Sequence, residues 1–137
     1  MTSRDDLPPF ELGFPGELRD RLVAAVLSGA KTTTTALLKA YEAEGEPLPR
    51  PGERAVLVDS GEQPLAVVEL TDVRVLRLAE VDLRHALDEG EGFASLAEWR
   101  SAHERFWHGE PSRTALGDPA FTVDDDTLVV AERFRVL

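Results

Sequence analysis

The sequence predicts an α+β fold, a small barrel of mixed or antiparallel strands with helices packed around it. Three observations lead there. The chain's periodicities run in the order helix, short strand, helix, strands, helices, strand. Too few helices fall between strands for a doubly wound parallel sheet. The 137 residues fit one domain around one core.

Taken in order, residues 1–13 are polar with a proline pair and are expected to form an N-terminal arm or strap, leaving 14–137 as the single domain. "PGELRDRLVAAVLSG" predicts a helix: Pro15 suits a first turn, Leu18, Leu22, Ala25 and Val26 recur at helical spacing, and Gly29 is a natural stop. The run Thr32 to Thr35 is β-branched and predicts a short strand or extended turn. "ALLKAYEAEGE" predicts a short helix ended by Gly45, and the prolines of "PLPRPGE" enforce a rigid loop. Arg54 to Asp59 and Pro64 to Leu70 predict a hairpin around Ser60-Gly61, with Val73 to Leu78 a further strand or extended arm. "EVDLRHALDEGEG" predicts a short helix running into a glycine-rich acidic loop. "SLAEWRSAHERFWHG" predicts the clearest helix, with Ser95 and Glu98 as a capping box and Leu96, Trp99, His103 and Phe106 on one face. Residues 110–126 read as loop, and "TLVVAERFRVL" as a final strand.

Composition narrows the chemistry. There is no cysteine, which excludes disulfides, zinc–thiolate sites and a cysteine nucleophile, and a cytoplasmic setting is expected. The start "MTSRDDLPPF" lacks the features of a secretory signal, and no apolar run is long enough to cross a bilayer. The formal charge of −11 argues against a basic surface tracking duplex DNA. A small positive pocket admitting a nucleoside or a short single-stranded RNA end is compatible with it. No motif for a dinucleotide, a Walker loop or metal ligation occurs, so no cofactor and no metal are expected. Monomer and homodimer both remain open.

Lys31 and Lys39 are the only two lysines in a chain that otherwise uses arginine. Arginine does not deprotonate in proteins, whereas a lysine amine serves as a base when its surroundings are suitable. A helix-capping surface lysine is the plainer alternative. Shared work by Lys31 and Thr34 requires a turn or bulge between them, because a plain strand sends side chains three apart to opposite faces. In "DEGEG", Asp88, Glu89 and Glu91 crowd together, which favours a raised pKa for one of them and a general acid or base role. A solvated helix end is the plainer alternative. Glu132 shares a strand face with Val130, Phe134 and Val136, and if buried needs a partner, expected to be an arginine.

Five pieces in order, "VLSGAKTTT", "EGEPLPRPGERAVLVD", "AVVELTDVRV", "DEGEGFASLAEWRSAHERFW" and "VVAERFRVL", resemble the ASCH domain family of the PUA-like superfamily, in its larger bacterial branch once filed as a domain of unknown function. The resemblance runs over most of the chain. It implies a PUA-like barrel and one of two activities: an amidohydrolase that removes acetyl from N(4)-acetylcytidine with a Lys, Thr and Glu set, or RNA binding and ribonuclease action through the same pocket. The pattern assigns the catalytic lysine and threonine to Lys31 and Thr34, and the glutamate to Glu91, with Glu89 as second choice. Thr33, Glu89 and Arg100 are the expected substrate contacts, Arg100 standing in for an arginine that short amidohydrolases carry where this chain has Ala36. Backbone N–H groups after Gly29 are the expected oxyanion donors.

Overall fold

In the computed structural model the described residues are 6–137. Five strands form one mixed sheet, curled into a half-barrel: β1 (Pro9–Phe10), β2 (Thr33–Leu37), β3 (Arg54–Val58), β4 (Pro64–Arg77) and β5 (Leu128–Val136), in the spatial order β1-β3-β4-β5-β2. Every pairing is antiparallel except β1 with β3. Five α-helices surround it: α1 (Glu17–Ser28), α2 (Leu38–Glu44), α3 (Leu83–Asp88), α4 (Leu96–Trp107) and α5 (Glu110–Leu116).

The predicted arm falls partly outside the described residues, at 1–5. Beyond them Pro9 and Phe10 pair with Val56 and Leu57, and Leu12 is buried in the core. Arg19 of α1, itself buried, holds the following turn by donating to the carbonyls of Leu12 and Gly13. The predicted hairpin forms between β3 and the start of β4, and its second arm and the separate strand expected after it are one 14-residue strand, β4, bulged between Leu70 and Asp72. The same strand pairs with β3 from Pro64 to Glu69 and with β5 from Val68 to Arg77, with the bulge between the two halves of the β5 register. The predicted loop at 110–126 contains α5. Its signals are present but local: Gly109 at the N-cap, Pro111 in the first turn and Gly117 in the left-handed conformation after the end. Seven residues are too few to show a helical period.

Two apolar clusters hold the layers together. Leu22, Val23 and Val26 of α1 pack on Leu57, Val68, Leu70 and Phe134. At the other end, Leu37, Trp99, Trp107, Phe121 and Val129 join α3, α4 and the long β4–β5 ribbon. Each such buried side chain contributes roughly 1.5–3 kcal/mol relative to exposure. Ser95 caps α4 by accepting from the Glu98 amide, while the Glu98 carboxylate accepts from Ala94 N rather than from the cap residue.

The acidic loop after α3 lies against the turn that follows α1. The Thr32 amide donates to the Asp88 carbonyl at 2.8 Å. Gly90, at φ +68°, sits so close that a Cβ would meet the Ala30 carbonyl and come within 2.7 Å of the Lys31 amide nitrogen. Gly92, at φ +85°, has open space around it. Gly90→Ala is therefore expected to destabilise well beyond the ~1–2 kcal/mol of left-handed backbone strain alone. Gly92→Ala should cost only about that amount. Denaturant unfolding of both variants checks this, and equal losses would contradict it.

Candidate active site

Lys31 is 2% exposed, and Glu89 is 1% exposed. The Lys31 Nζ lies 3.6 Å from Glu89 Oε1 and 3.7 Å from Glu91 Oε2, and donates to the Glu89 carbonyl at 3.4 Å. The plainer expectation of a surface lysine capping α1 is thus not what forms. Glu89 also gathers donors from three elements. Thr35 of β2 donates to Oε2 at 2.7 Å, the Trp99 indole of α4 donates to the same oxygen at 2.8 Å, and His103 of α4 faces Oε1 at 3.1 Å.

The hydrogen-bond geometry fixes the protons. His103 Nδ1 faces the Trp99 carbonyl at 2.9 Å and Nε2 faces the Glu89 carboxylate, so both ring nitrogens must donate and the ring is an imidazolium. It stacks on Trp99 with ring centroids 4.2 Å apart. The Thr35 hydroxyl gives its one proton to Glu89, so His85 Nε2, 2.7 Å away, must donate to Thr35. His85 is the neutral Nε2–H tautomer.

The electrostatics agree. Burial alone would raise Glu89, but the hydrogen bond and charge of His103, the charge of Lys31 and the Trp99 N–H outweigh it and hold the carboxyl well below the usual range. Burial opposes the charged form of His103, yet the bond to Glu89 and its charge push the imidazole up. Burial pushes His85 down, with Arg74 and Arg133 adding to it against Glu89 and Asp82. Glu91 is pushed up, first by burial and then by the neighbouring Glu89, against the pull of Lys31. The two neighbouring carboxylates of "DEGEG" thus diverge, one held ionised and the other ready to take a proton.

This cluster borders a cleft of about 1310 Å³ that also reaches Thr34, Ala36, Tyr41 and Glu132. Because β2 is an edge strand, the cleft reaches both of its faces. No bulge intervenes in β2, which runs in regular register against β5 from Thr33 to Leu37. Side chains therefore alternate: Lys31, Thr33 and Thr35 turn toward residues 85–91, while Thr34 turns the other way and stands opposite Glu132. The Thr33 hydroxyl donates to the His85 carbonyl at 2.8 Å, and that of Thr32 to the Asp88 carbonyl at 3.4 Å. Thr34 alone of the four keeps a hydroxyl with no protein partner among the described residues.

Other expected residues fall elsewhere. Arg100 pairs with Glu104 and Asp125 and is not among the residues lining the cleft. The amides after Gly29 are engaged: Ala30 donates to Ser28 Oγ, Lys31 to the Ala25 carbonyl and Thr32 to the Asp88 carbonyl. They are not free oxyanion donors. Glu132, 5% exposed, has the Tyr41 hydroxyl as its partner at 3.3 Å, not an arginine. The two arginines that follow it in β5, Arg133 and Arg135, pair with Asp88 and Glu69 instead. Reasoning from sequence missed Thr35, His85 and Tyr41; strand alternation from Lys31 is the signal that points to Thr35. Glu89, Glu91 and His103 also offer ligand atoms within 4.8 Å of one another, a set that suits a cation, but the Lys31 Nζ lies beside both carboxylates and supplies positive charge there.

Removing one member of this buried set leaves the others uncompensated. Glu89→Gln is expected to lower stability by about 3–5 kcal/mol near neutral pH. The depressed Glu89 contributes stability that is present above its ordinary 4.5 and lost as pH falls through its folded value. The raised His103 contributes stability that is full below its ordinary 6.5 and lost as pH rises through its folded value. The difference between wild type and Glu89→Gln in denaturant unfolding should therefore be largest between these two values and shrink on either side. A difference independent of pH would contradict the pairing.

A family profile described as the ASCH domain matches residues 11–137. Among solved structures, a protein from Enterococcus faecalis V583 assigned to family DUF984 superposes with TM-score 0.81 at 29% identity, over 95% of this chain and 76% of that one. An ASCH domain from Lactobacillus crispatus JV V101 gives TM-score 0.79 at 27% identity, over 94% and 78%. An ASCH protein from Zymomonas mobilis, at 15% identity and TM-score 0.51 over 93% and 67%, shares the fold. No curated protein matches the sequence. With a profile match spanning β2 to β5, the surrounding helices and the Lys31–Glu89 cluster, the chain belongs to the ASCH domain family.

Proposed function

We propose that this protein is a small amidohydrolase whose substrate is an acylated amino group on a modified nucleoside, such as N(4)-acetylcytidine. The observation that carries it is the buried Lys31 amine 3.7 Å from the Glu91 carboxylate on the wall of a cleft. The cleft's volume is ample for a nucleoside. Phe93, in the same cleft with its ring 6.0 Å from His103, offers an apolar face for a base.

The proton path follows from the charges. Lys31 passes a proton to Glu91, the carboxylate that its surroundings leave ready to accept one. The freed amine takes a proton from a water in the cleft, and the water oxygen attacks the acyl carbon, while Thr34 on the other face of β2 takes no part in that transfer. Lys31, again an ammonium, stabilises the developing oxyanion. Glu91 returns its proton to the leaving nitrogen. Acetate and the free amine result, with one water consumed. Glu89 stays ionised throughout, positioning Lys31.

The test is incubation with N(4)-acetylcytidine, following cytidine release. Glu91→Gln should lose about 10²–10⁴-fold in rate, because an amide cannot carry the proton from Lys31 to the leaving nitrogen. Lys31→Arg should lose at least as much, because a guanidinium does not cycle its proton. Release should change little between low and high salt, since the substrate is neutral. No release by the wild type would overturn the activity, and steeply salt-dependent binding of short RNA would then favour phosphate recognition.

A further inference from the structure

Glu132 stands apart from the network around Glu89. Its carboxyl is 5% exposed, on the central face of β5, and no cation contacts it. One oxygen, Oε2, accepts from the Tyr41 hydroxyl at 3.3 Å. The other, Oε1, bonds to nothing in the protein. No fully sealed side-chain polar atom among the described residues lacks a partner. Oε1 is therefore open to the cleft that Glu132 lines. It stands beside Thr34, its register partner on β2, whose free hydroxyl opens to the same space. A buried acid with one oxygen held and the other bare is an incomplete hydrogen-bonding site, and a ligand group would complete it.

Which ligand group fits follows from the proton. Tyr41 donates to Oε2, so in the neutral acid the proton sits on Oε1 and points into the cleft. Burial pushes this carboxyl up to about 7, with only Tyr41 acting against it, so the neutral form is well populated at neutral pH. Tyr41 is itself held protonated far above its ordinary value by burial and by Glu132, so it remains a donor. A neutral O–H in a dry wall suits an uncharged acceptor. An unprotonated ring nitrogen, such as the one next to the amino-bearing carbon of cytosine, is that kind of group.

We propose that Glu132 is a specificity-determining residue which, as a carboxylic acid oriented by Tyr41, donates a hydrogen bond from Oε1 to a ring nitrogen of the bound heterocycle. The inference rests on the nucleoside reading of the cleft but not on its hydrolytic step. It assigns the base to the β5 wall and the acyl group to the Lys31 side. It also predicts a preference for cytidine over uridine, whose corresponding ring position is an N–H donor and would face a donor.

The test uses binding and turnover together. Cytidine, uridine and 3-deazacytidine, which has C–H in place of the ring nitrogen, are titrated into wild type, Glu132→Gln, Glu132→Ala and Tyr41→Phe by calorimetry. The glutamine amide keeps an oxygen for Tyr41 and a donor toward the cleft, so Glu132→Gln should bind cytidine within a few-fold of wild type. Glu132→Ala should lose about tenfold for cytidine and almost nothing for 3-deazacytidine. In turnover of N(4)-acetylcytidine the loss should appear in KM with kcat little changed. A merely structural role would weaken all three ligands alike. Equal binding of cytidine and 3-deazacytidine by wild type, or loss in Glu132→Gln as large as in Glu132→Ala, would overturn the proposal. Cytidine binding that depends on Glu132 without any deacetylation would uphold it and remove the hydrolase reading alone.

Discussion

One buried carboxylate, that of Glu89, organises the molecule's reactive end. Taking an ionised carboxylate out of water costs several kcal/mol. Three hydrogen bonds, from Thr35, Trp99 and His103, offset it, at roughly 1.5–3 kcal/mol each for bonds to a charged group. Those donors come from the edge strand and from α4, and Lys31 adds its charge from the turn before the strand. Meeting the needs of one side chain therefore fixes the relative placement of three segments. The close approach of Gly90 to Ala30 is part of the same arrangement, because only a residue without a Cβ lets the acidic loop come down far enough.

The division of labour along the threonine run follows from that constraint. With Lys31, Thr33 and Thr35 all turned toward residues 85–91, alternation leaves Thr34 on the opposite face. There it stands opposite Glu132, whose carboxyl accepts from Tyr41. The cleft thus has a charged side, with Lys31, Glu89, Glu91 and His103, and a side where the acid is close to neutral. A substrate with a hydrolysable group at one end and a hydrogen-bonding ring at the other matches this polarity. In a chain of net charge −11, the one lysine in the cleft is matched by the carboxylates of Glu89 and Glu91.

Much of this was legible in the sequence. The order of periods fixed the α+β class, and Ser95 with Glu98 marked the start of α4. The rarity of lysine drew attention to Lys31, and an acid on an apolar strand face drew it to Glu132. What escaped was relational. Nothing local tells that His85, three residues into a short helix, answers Thr35 across 50 residues of chain. Nor does a local pattern show that Glu132 is met by a tyrosine from a helix 91 residues away rather than by a neighbouring arginine. Arg100 lay on the expected helix but faces Glu104 and Asp125, a consequence of how α4 is rotated to bury Trp99. The helix α5 was missed because its evidence is all in its caps.

The central claim is that Glu89 is ionised and sets the protonation of the two histidines around it. Nitrogen-15 NMR of the imidazole side chains at pH 6.5, where a free histidine is half charged, tests this most directly. The account predicts His103 with both nitrogens protonated and His85 as a neutral ring carrying its proton on Nε2. A neutral His103, or a charged His85, would contradict it.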